Sequence, residues 1–134
     1  MLALFYNTLD EYQHVIICTT VNDSMKFEIF SKAKYLVLMN ENGEIIEKRN
    51  NPALNSPMKR PAVAKECVEL KANEVIVPHG SLCFPSYRIL KKAGIKTLIA
   101  NPGEDLRSSN LKEVNMKEVI YSSFLAMRER ITEH

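Results

Sequence analysis

The stretch VIVPHGSLCFPSYRILKKAGIKTLI, residues 75–99, decides the fold class. The short apolar runs at its two ends, residues 75–77 and 97–99, are typical of buried strands. Between them, Pro85 suits the first turn of a helix and Gly94 its C-terminal cap. A strand, a helix and a second strand in this order predict two parallel strands that are joined by a right-handed crossover.

The sequence before this stretch predicts three more strands. Residues 15–19 form an apolar, β-branched run that is typical of a strand buried on both faces. Residues 35–39 and 45–48 flank the pair Asn42-Gly43, which supplies the positive φ angles of a tight turn, and they therefore form a hairpin. The sequence thus predicts an α/β fold with a five-stranded mixed sheet that is flanked by helices.

Two more helices complete the predicted order of elements. Pro61 opens a helix that Asn73 ends. The C-terminal part of the chain is helical, with Asn110 as its cap and Glu113 as the reciprocal partner. Its apolar positions recur at spacings of three and four, as expected for one face of a helix: Met116, Val119, Ile120, Phe124, Met127 and Ile131.

The composition is that of an ordinary globular protein. The chain has 134 residues, 46% hydrophobic and 25% charged, which predicts a single domain over residues 1–134. A net charge of +2 gives no indication of a nucleic-acid partner. No stretch approaches the roughly 18 apolar residues of a membrane span. The apolar run of residues 1–6 lacks a leading positive charge and is read as part of the fold, so the cytoplasm is the expected location.

The three cysteines predict no disulfide framework, because their number is odd and none lies close to another in sequence. Cys18 lies on a predicted strand and Cys67 on the core face of a predicted helix. We expect both to be buried as small hydrophobic side chains. Cys83 differs, because it lies in a loop immediately before a helix rather than on a core face.

Three loops follow the carboxyl ends of the predicted parallel strands, where open α/β sheets bind ligands. They are residues 19–24, 78–83 and 101–105. The second loop contains an imidazole and a thiol four residues apart, and both groups suit transition metals and iron–sulfur species. We therefore expect His79 and Cys83 to ligate a metal, together with further binding residues in the three loops: Thr20, Asn22, Gly80, Ser81 and Asn101.

Three strings of the sequence stand out: residues 30–36 read FSKAKYL, Asn51-Pro52 follows the predicted hairpin, and residues 90–95 read LKKAGI at the end of a predicted helix. In this order and spacing, they resemble the dinitrogenase iron–molybdenum cofactor biosynthesis family, of the NifX and NifB C-terminal type. The family has a Phe-Gly-Arg-Ala stretch, an Asn-Pro pair and a Leu-Lys-x-Ala-Gly-Ile helix end at these places. The resemblance covers residues 14–125 and leaves residues 1–13 as an N-terminal extension, whose form the sequence does not indicate.

The resemblance implies a ribonuclease H-like fold and the binding or carriage of an iron–sulfur or iron–molybdenum cofactor or its precursor. The sequence departs from the family at three positions. Ile29 stands where a histidine is frequent, Ser31 replaces a glycine, and Cys83 stands where a glycine is usual. Cys83 therefore indicates either that the bound ligand differs from that of the family or that a thiolate is added to the residues that bind the cluster.

The expected function is that of a non-enzymatic carrier for such a cluster, with a possible protein partner in cluster transfer and an undetermined oligomeric state. Two alternatives stay open. The chain could be a metal-free interaction or regulatory module, which would display an exposed apolar patch. It could also be a thiol-dependent enzyme acting on a small anionic substrate, which would need Cys83 and His79 within hydrogen-bond reach of each other.

Overall fold

The computed structural model of the protein describes residues 15–132, so the N-terminal extension of residues 1–13 lies outside the described part. Its elements follow in chain order: β1 (Ile17–Val21), β2 (Tyr35–Met39), β3 (Ile45–Asn50), a 3-10 turn (Pro52–Asn55), α1 (Lys59–Glu69), β4 (Glu74–Pro78), α2 (Phe84–Lys92), β5 (Lys96–Ala100), β6 (Lys112–Glu113) and α3 (Met116–Thr132).

The strands form one mixed sheet in the order β3-β2-β1-β4-β5-β6. β1, β4 and β5 are parallel, whereas β2 and β3 form the antiparallel hairpin and β6 pairs antiparallel with β5. The predicted α/β class and mixed sheet are confirmed. The predicted number of five strands is wrong, because the two-residue strand β6 adds a sixth at the edge, too short to leave a periodic signal.

Helices α1 and α2 both pack on one face of the sheet. The crossovers β3-α1-β4 and β4-α2-β5 move across the sheet in the same direction, and two right-handed crossovers of that kind place their helices on the same side. The opposite face is covered instead by loop residues, among them Phe27 and Leu106. The prediction that helices flank the sheet is therefore confirmed for one face. Among the described elements, no helix packs on the other face.

Cys18 of β1 and Cys67 of α1 are both fully buried, as predicted, but they are joined by a disulfide bond. The prediction of unpaired cysteines is wrong for this pair. Their Cα atoms lie 5.9 Å apart although 49 residues separate them in sequence, because α1 packs directly over β1. Spacing along the chain carries no information on such a contact.

Helix α3 begins at Met116, after the cap residue Asn115, whose side chain accepts a hydrogen bond from the backbone N–H of Glu118. The predicted cap pair Asn110 and Glu113 is therefore wrong, and Glu113 belongs to β6. The same three-residue spacing occurs five residues later, at Asn115 and Glu118. α3 then crosses the edge of the sheet formed by the carboxyl ends of the parallel strands, which we call the rim. Its side chains reach the loop after β4 and the start of α1.

Candidate functional site

The rim is the part of the sheet where a ligand was expected. The strand order reverses between β1 and β4, since β2 and β3 lie on one side of that pair and β5 and β6 on the other. In open α/β sheets the crevice at such a reversal is the usual binding position. In this protein, residues 27–33 and helix α3 occupy that position, so the rim is covered rather than open.

Residues of the loops after β1 and β4 are hydrogen-bonded to each other and to their neighbours. Ser81 is fully buried, and its hydroxyl accepts a hydrogen bond from the backbone N–H of Phe30. The hydroxyl of Thr20, also buried, donates to the carbonyl of Glu28. The first contact fixes the loop after β1 against the loop after β4, and the second fixes the loop after β1 to strand β1, to which Thr20 belongs. In this conformation both hydroxyl groups serve the fold.

Two predicted binding residues lie in turns at the same end of the sheet. The side-chain oxygen of Asn22 accepts hydrogen bonds from the backbone N–H groups of Ser24 and Lys26, which closes a tight turn. Asn101 is exposed, and its amide donates to the carboxylate of Glu104. Among the described residues, neither side chain forms a hydrogen bond to the loop of residues 78–83.

Gly80 occupies a conformation that only glycine adopts easily. Its φ angle is +93°, and a Cβ atom at this position would lie 2.8 Å from Cδ1 of Leu125 in α3 and 3.0 Å from Cδ1 of Ile29. The absence of a side chain therefore lets α3 lie directly on the loop. This explains in physical terms why glycine stands here, beside the two candidate metal ligands.

Glu118 forms three hydrogen bonds, two of which connect α3 to this loop while the third stays within α3. Its side chain is 4% exposed, and its two carboxylate oxygens contact Nδ1 of His79 at 2.6 Å, the backbone N–H of Gly80 at 2.7 Å and the hydroxyl of Ser122 at 3.0 Å. A buried carboxylate needs such donors because it has left water. Glu118 is the site residue that sequence reasoning missed, although the Asn115-x-x-Glu118 spacing of a helix start was visible.

His79 is held in place on two sides. Its ring stacks on that of Tyr121 with 4.5 Å between the ring centroids and 1° between the ring planes. One carboxylate oxygen of Glu118 contacts Nδ1, and the other accepts hydrogen bonds from the N–H of Gly80 and the hydroxyl of Ser122. Because the carboxylate acts as an acceptor, Nδ1 carries the proton. In the neutral ring, Nε2 then bears the lone pair. Within residues 15–132, Nε2 has no hydrogen-bond partner, and the His79 side chain is 46% exposed.

Cys83 lies on the opposite side of α3. It is the residue before α2, its side chain is buried, and its sulfur lies 3.1 Å from the hydroxyl of Ser86. Cys83 lines a groove of about 280 Å³ between the first turns of α1 and α2 and the flank of α3. On α3, Ser123 lines that groove while Tyr121 carries His79, and these two positions lie about 160° apart around the helix. The structure therefore does not bring His79 and Cys83 together.

A second attachment holds the later part of α3 to the fold. The Arg60 guanidinium, 4% exposed, donates to the carbonyl of Gly80 and forms a two-point ion pair with Glu129. Ser31 also donates to Glu129. Burial acts to raise the pKa of Glu129, but the hydrogen bonds and charge of Arg60, with Ser31, hold that pKa below its ordinary value.

The described residues contain no group of three histidine, cysteine or acidic side chains that could enclose a metal ion. Cys83 is the one cysteine outside the disulfide. Within residues 15–132, no helix combines the length and apolar character that crossing a membrane requires. An iron–sulfur cluster ligated entirely by cysteines of this chain does not fit this set of donors.

Among solved structures, at least two have a similar fold. One is the apo form of the orange protein from Desulfovibrio gigas, with a TM-score of 0.58 and 17% identity over 70% of this chain and 82% of the other. The second is a Thermotoga protein described as NifB and as a member of the DUF35 family, with a TM-score of 0.55 and 18% identity over 74% of this chain and 92% of the other. No family model matches this chain, and no curated protein matches its sequence.

Proposed function

We propose that the protein binds a metal-containing cofactor, or a precursor of one, and hands it on, with Nε2 of His79 as its ligand. The observation that carries this proposal is the His79 ring, clamped between Glu118 and Tyr121 yet half exposed at the rim. A histidine that serves only the fold does not need a buried carboxylate on one nitrogen while the other faces outward. A metal-ligating histidine typically has that arrangement.

The clamp prepares the imidazole for coordination. Glu118 fixes the tautomer, and its negative charge makes Nε2 a stronger electron-pair donor. Tyr121 prevents rotation of the ring, so little side-chain entropy is lost when a metal binds. The carboxylate, in turn, is fixed by Gly80 and Ser122. The chain thus offers one rigid nitrogen ligand.

One rigid ligand suits cargo that brings its own ligand shell, such as a preassembled iron–sulfur or iron–molybdenum type cluster with sulfide ligands. Weak, replaceable attachment is also what a carrier needs for transfer to a protein partner. The thiol of Cys83 can join the same cargo only after α3 leaves the rim, because the two groups lie on opposite sides of that helix. The two neighbours in fold, a NifB-described protein and the orange protein, support a role of this kind.

The ribonuclease H-like assignment and a cytoplasmic location belong to the same proposal. In a reducing cytoplasm, Cys18 and Cys67 would be present as two buried thiols rather than as a disulfide. Neither cysteine lies at the rim, so the redox state of this pair does not alter the proposed ligand.

The test uses Co²⁺ as a probe for the imidazole and, separately, anaerobic addition of iron and sulfide to the whole protein. We expect visible absorption bands from Co²⁺, and charge-transfer absorption with iron and sulfide, in the unchanged protein. His79→Ala should abolish the Co²⁺ bands, whereas Cys83→Ser should leave them unchanged. Co²⁺ spectra that are identical in the unchanged protein and in His79→Ala would exclude His79 as the ligand.

A metal-free interaction module is the second candidate, because α3 exposes several large apolar side chains, Phe124 at 65% among them. An interaction module should capture a protein partner, and the substitution His79→Ala should not weaken that capture. The third reading, a thiol enzyme, lacks its required geometry in this conformation, since the hydrogen-bond partner of the Cys83 sulfur is Ser86 and not His79.

A further inference from the structure

Helix α3 has apolar residues on two sides. Val119 packs in the core and Leu125 lies against Gly80, whereas a second set is about half exposed or more. With 3.6 residues per turn, this second set occupies a stripe about 80° wide along the outer side of the helix. Together with Phe84 at the start of α2, it forms what we call the α3 patch: Phe84, Met116, Ile120, Phe124, Met127 and Ile131.

A groove separates Phe84 from α3, and hydrogen bonds fix its two walls. Its cavity volume is about 250 Å³, and its lining is almost entirely apolar. The backbone N–H of Phe84 donates to the hydroxyl of Ser123 at 3.0 Å, and that hydroxyl donates to the carbonyl of Val119. These contacts hold the start of α2 against α3, so the groove is already shaped to receive apolar side chains.

Basic side chains flank the α3 patch on both sides. Around the axis of α3, Lys117 and Arg128 lie on one side of the stripe and Arg130 lies on the other, and all three are exposed. On α2, the exposed Arg88 lies over the ring of Phe84. Positive charge therefore borders the patch on α3 and on α2.

No acidic side chain of these two helices balances that charge at the surface. α2 contains no aspartate or glutamate, and α3, as far as Thr132, contains Glu118 and Glu129. Both carboxylates are used within the fold, where Glu118 binds His79 and Glu129 binds Arg60. An occupant of the patch should therefore combine an apolar stripe with negative charge.

A second copy of the chain and a lipid surface fit the α3 patch less well than a helix of another protein. Two copies would bring the basic residues of two α3 helices together, and those like charges repel. The exposed area of the patch is on the order of 600 Å², less than the roughly 800 Å² per partner of a stable interface but enough for a transient one. A lipid surface would cover the stripe without filling the groove beside Phe84, whereas the apolar side chains of a helix would fill it.

We propose that the α3 patch docks an amphipathic helix of another protein, one with acidic residues on both sides of its apolar stripe. The helix would lie along α3 and insert apolar side chains beside Phe84. Tyr121, which stacks on His79, directly follows Ile120 and is 44% exposed, so the docked helix would lie close to the candidate ligand. The proposal does not require that His79 bind a metal.

The probe is a synthetic helical peptide of about 18 residues, with leucine at spacings of three and four and glutamate on both sides of that stripe. A matched peptide carries lysine in place of each glutamate. Fluorescence anisotropy of a dye on the peptide measures binding to the whole protein. We expect the acidic peptide to bind, and the basic peptide to bind about tenfold more weakly or less. The preference should decrease as salt is added.

A substitution in the middle of the α3 patch tests the apolar contact. Phe124 is 65% exposed, and Phe124→Ser should weaken binding of the acidic peptide about tenfold. Ile46→Ser, at a 54% exposed position of β3, is the matched control and should leave binding unchanged. Equal binding of the two peptides, binding of neither, or an unchanged affinity in Phe124→Ser would overturn the proposal.

Reversal of the flanking charges tests the complementarity. Lys117→Glu with Arg128→Glu should reverse the preference, so that the basic peptide binds more tightly than the acidic one. Lys65→Glu with Lys71→Glu, at exposed positions in α1 and just after it, changes the net charge equally and should keep the original preference. Adsorption to phosphatidylserine vesicles, or formation of a dimer, that is lost in Phe124→Ser and occurs without binding of the acidic peptide would assign the patch to a lipid surface or to a second copy. Either result would overturn the proposal.

Discussion

The carboxylate of Glu118 lies 2.6 Å from Nδ1 of His79, so the first turn of the last helix fixes the imidazole at the rim of the sheet. The same carboxylate accepts a hydrogen bond from the backbone N–H of Gly80. One acidic side chain thus joins α3 to the loop and sets the tautomer of the proposed ligand.

Glu118→Gln should weaken both functions. Glutamine keeps the shape but replaces one acceptor oxygen by a donor, so either a buried hydrogen bond is lost or the proton of His79 moves from Nδ1 to Nε2, where it blocks the proposed ligand atom. We expect the free energy of unfolding to fall by about 1–3 kcal/mol and Co²⁺ affinity to fall about 10- to 100-fold. Urea unfolding and the visible Co²⁺ bands measure the two effects. Glu113→Gln, on the exposed strand β6, is the control. Unchanged Co²⁺ affinity in Glu118→Gln would contradict the orienting role.

The sheet could be predicted from the sequence because its signals are local. Apolar runs between turn residues placed β2 at the same residues as the structure does, and the asparagine-glycine pair marked the hairpin. The edge strand β6 could not be found in this way. Its two residues, Lys112 and Glu113, are exposed and pair only because β5 lies beside them.

The site was predictable only in part. The residue types and the strand order pointed to the loop of residues 78–83, but the partner of His79 comes from a helix 39 residues further on. The periodicity of α3 indicated one apolar stripe without indicating which side faces the fold. Glu118 and Glu129 decide which side of α3 faces the fold, because Glu118 accepts a hydrogen bond from the N–H of Gly80 and Glu129 accepts one from Arg60. Such long-range contacts leave no mark in the spacing of residues.

The ion pair between Arg60 and Glu129 should make stability depend on acidity. The pKa of Glu129 is lower in the folded state than its ordinary value of 4.5, so the pair stabilises the fold fully above that value. The contribution is lost as the pH falls through the lowered pKa. We expect Glu129→Gln to be less stable than the unchanged protein at neutral pH, and the difference to shrink steadily in acid. Urea unfolding at a series of pH values measures this. A difference that does not vary with pH would contradict the ion pair.

Asn51 should be a strong determinant of stability, although it lies in one of the strings that resemble the cofactor family. Its buried amide donates to the carbonyls of Phe30 and Ala33 and accepts from the N–H of Ala53. Asn51→Ala would leave these backbone groups unpaired, and we expect a loss of about 2–4 kcal/mol. Asn55→Ala, at an exposed position of the same turn, is the control. Equal unfolding midpoints in urea would show that Asn51 has no such role.

The bond between Cys18 and Cys67 should stabilise the oxidised protein. It closes a loop of 49 residues, for which the loss of chain entropy in the unfolded state corresponds to roughly 4 kcal/mol. We expect the oxidised protein to unfold at higher urea than the Cys18→Ala, Cys67→Ala double variant. Alkylation under denaturing conditions should label Cys83 alone before reduction and all three cysteines after it. Three labelled cysteines in unreduced protein would show that the bond does not form.

The polar contacts of α3 influence how the helix can come away from the sheet. Beside the apolar contacts of Val119 and Leu125, its hold on the rim includes a hydrogen bond to Gly80 and an ion pair with Arg60, which water can replace one at a time. The backbone amides of α3 should accordingly exchange with deuterium sooner than those of the central strands, and still sooner in acid or at high salt. Acidity and salt concentration would then control access to the rim.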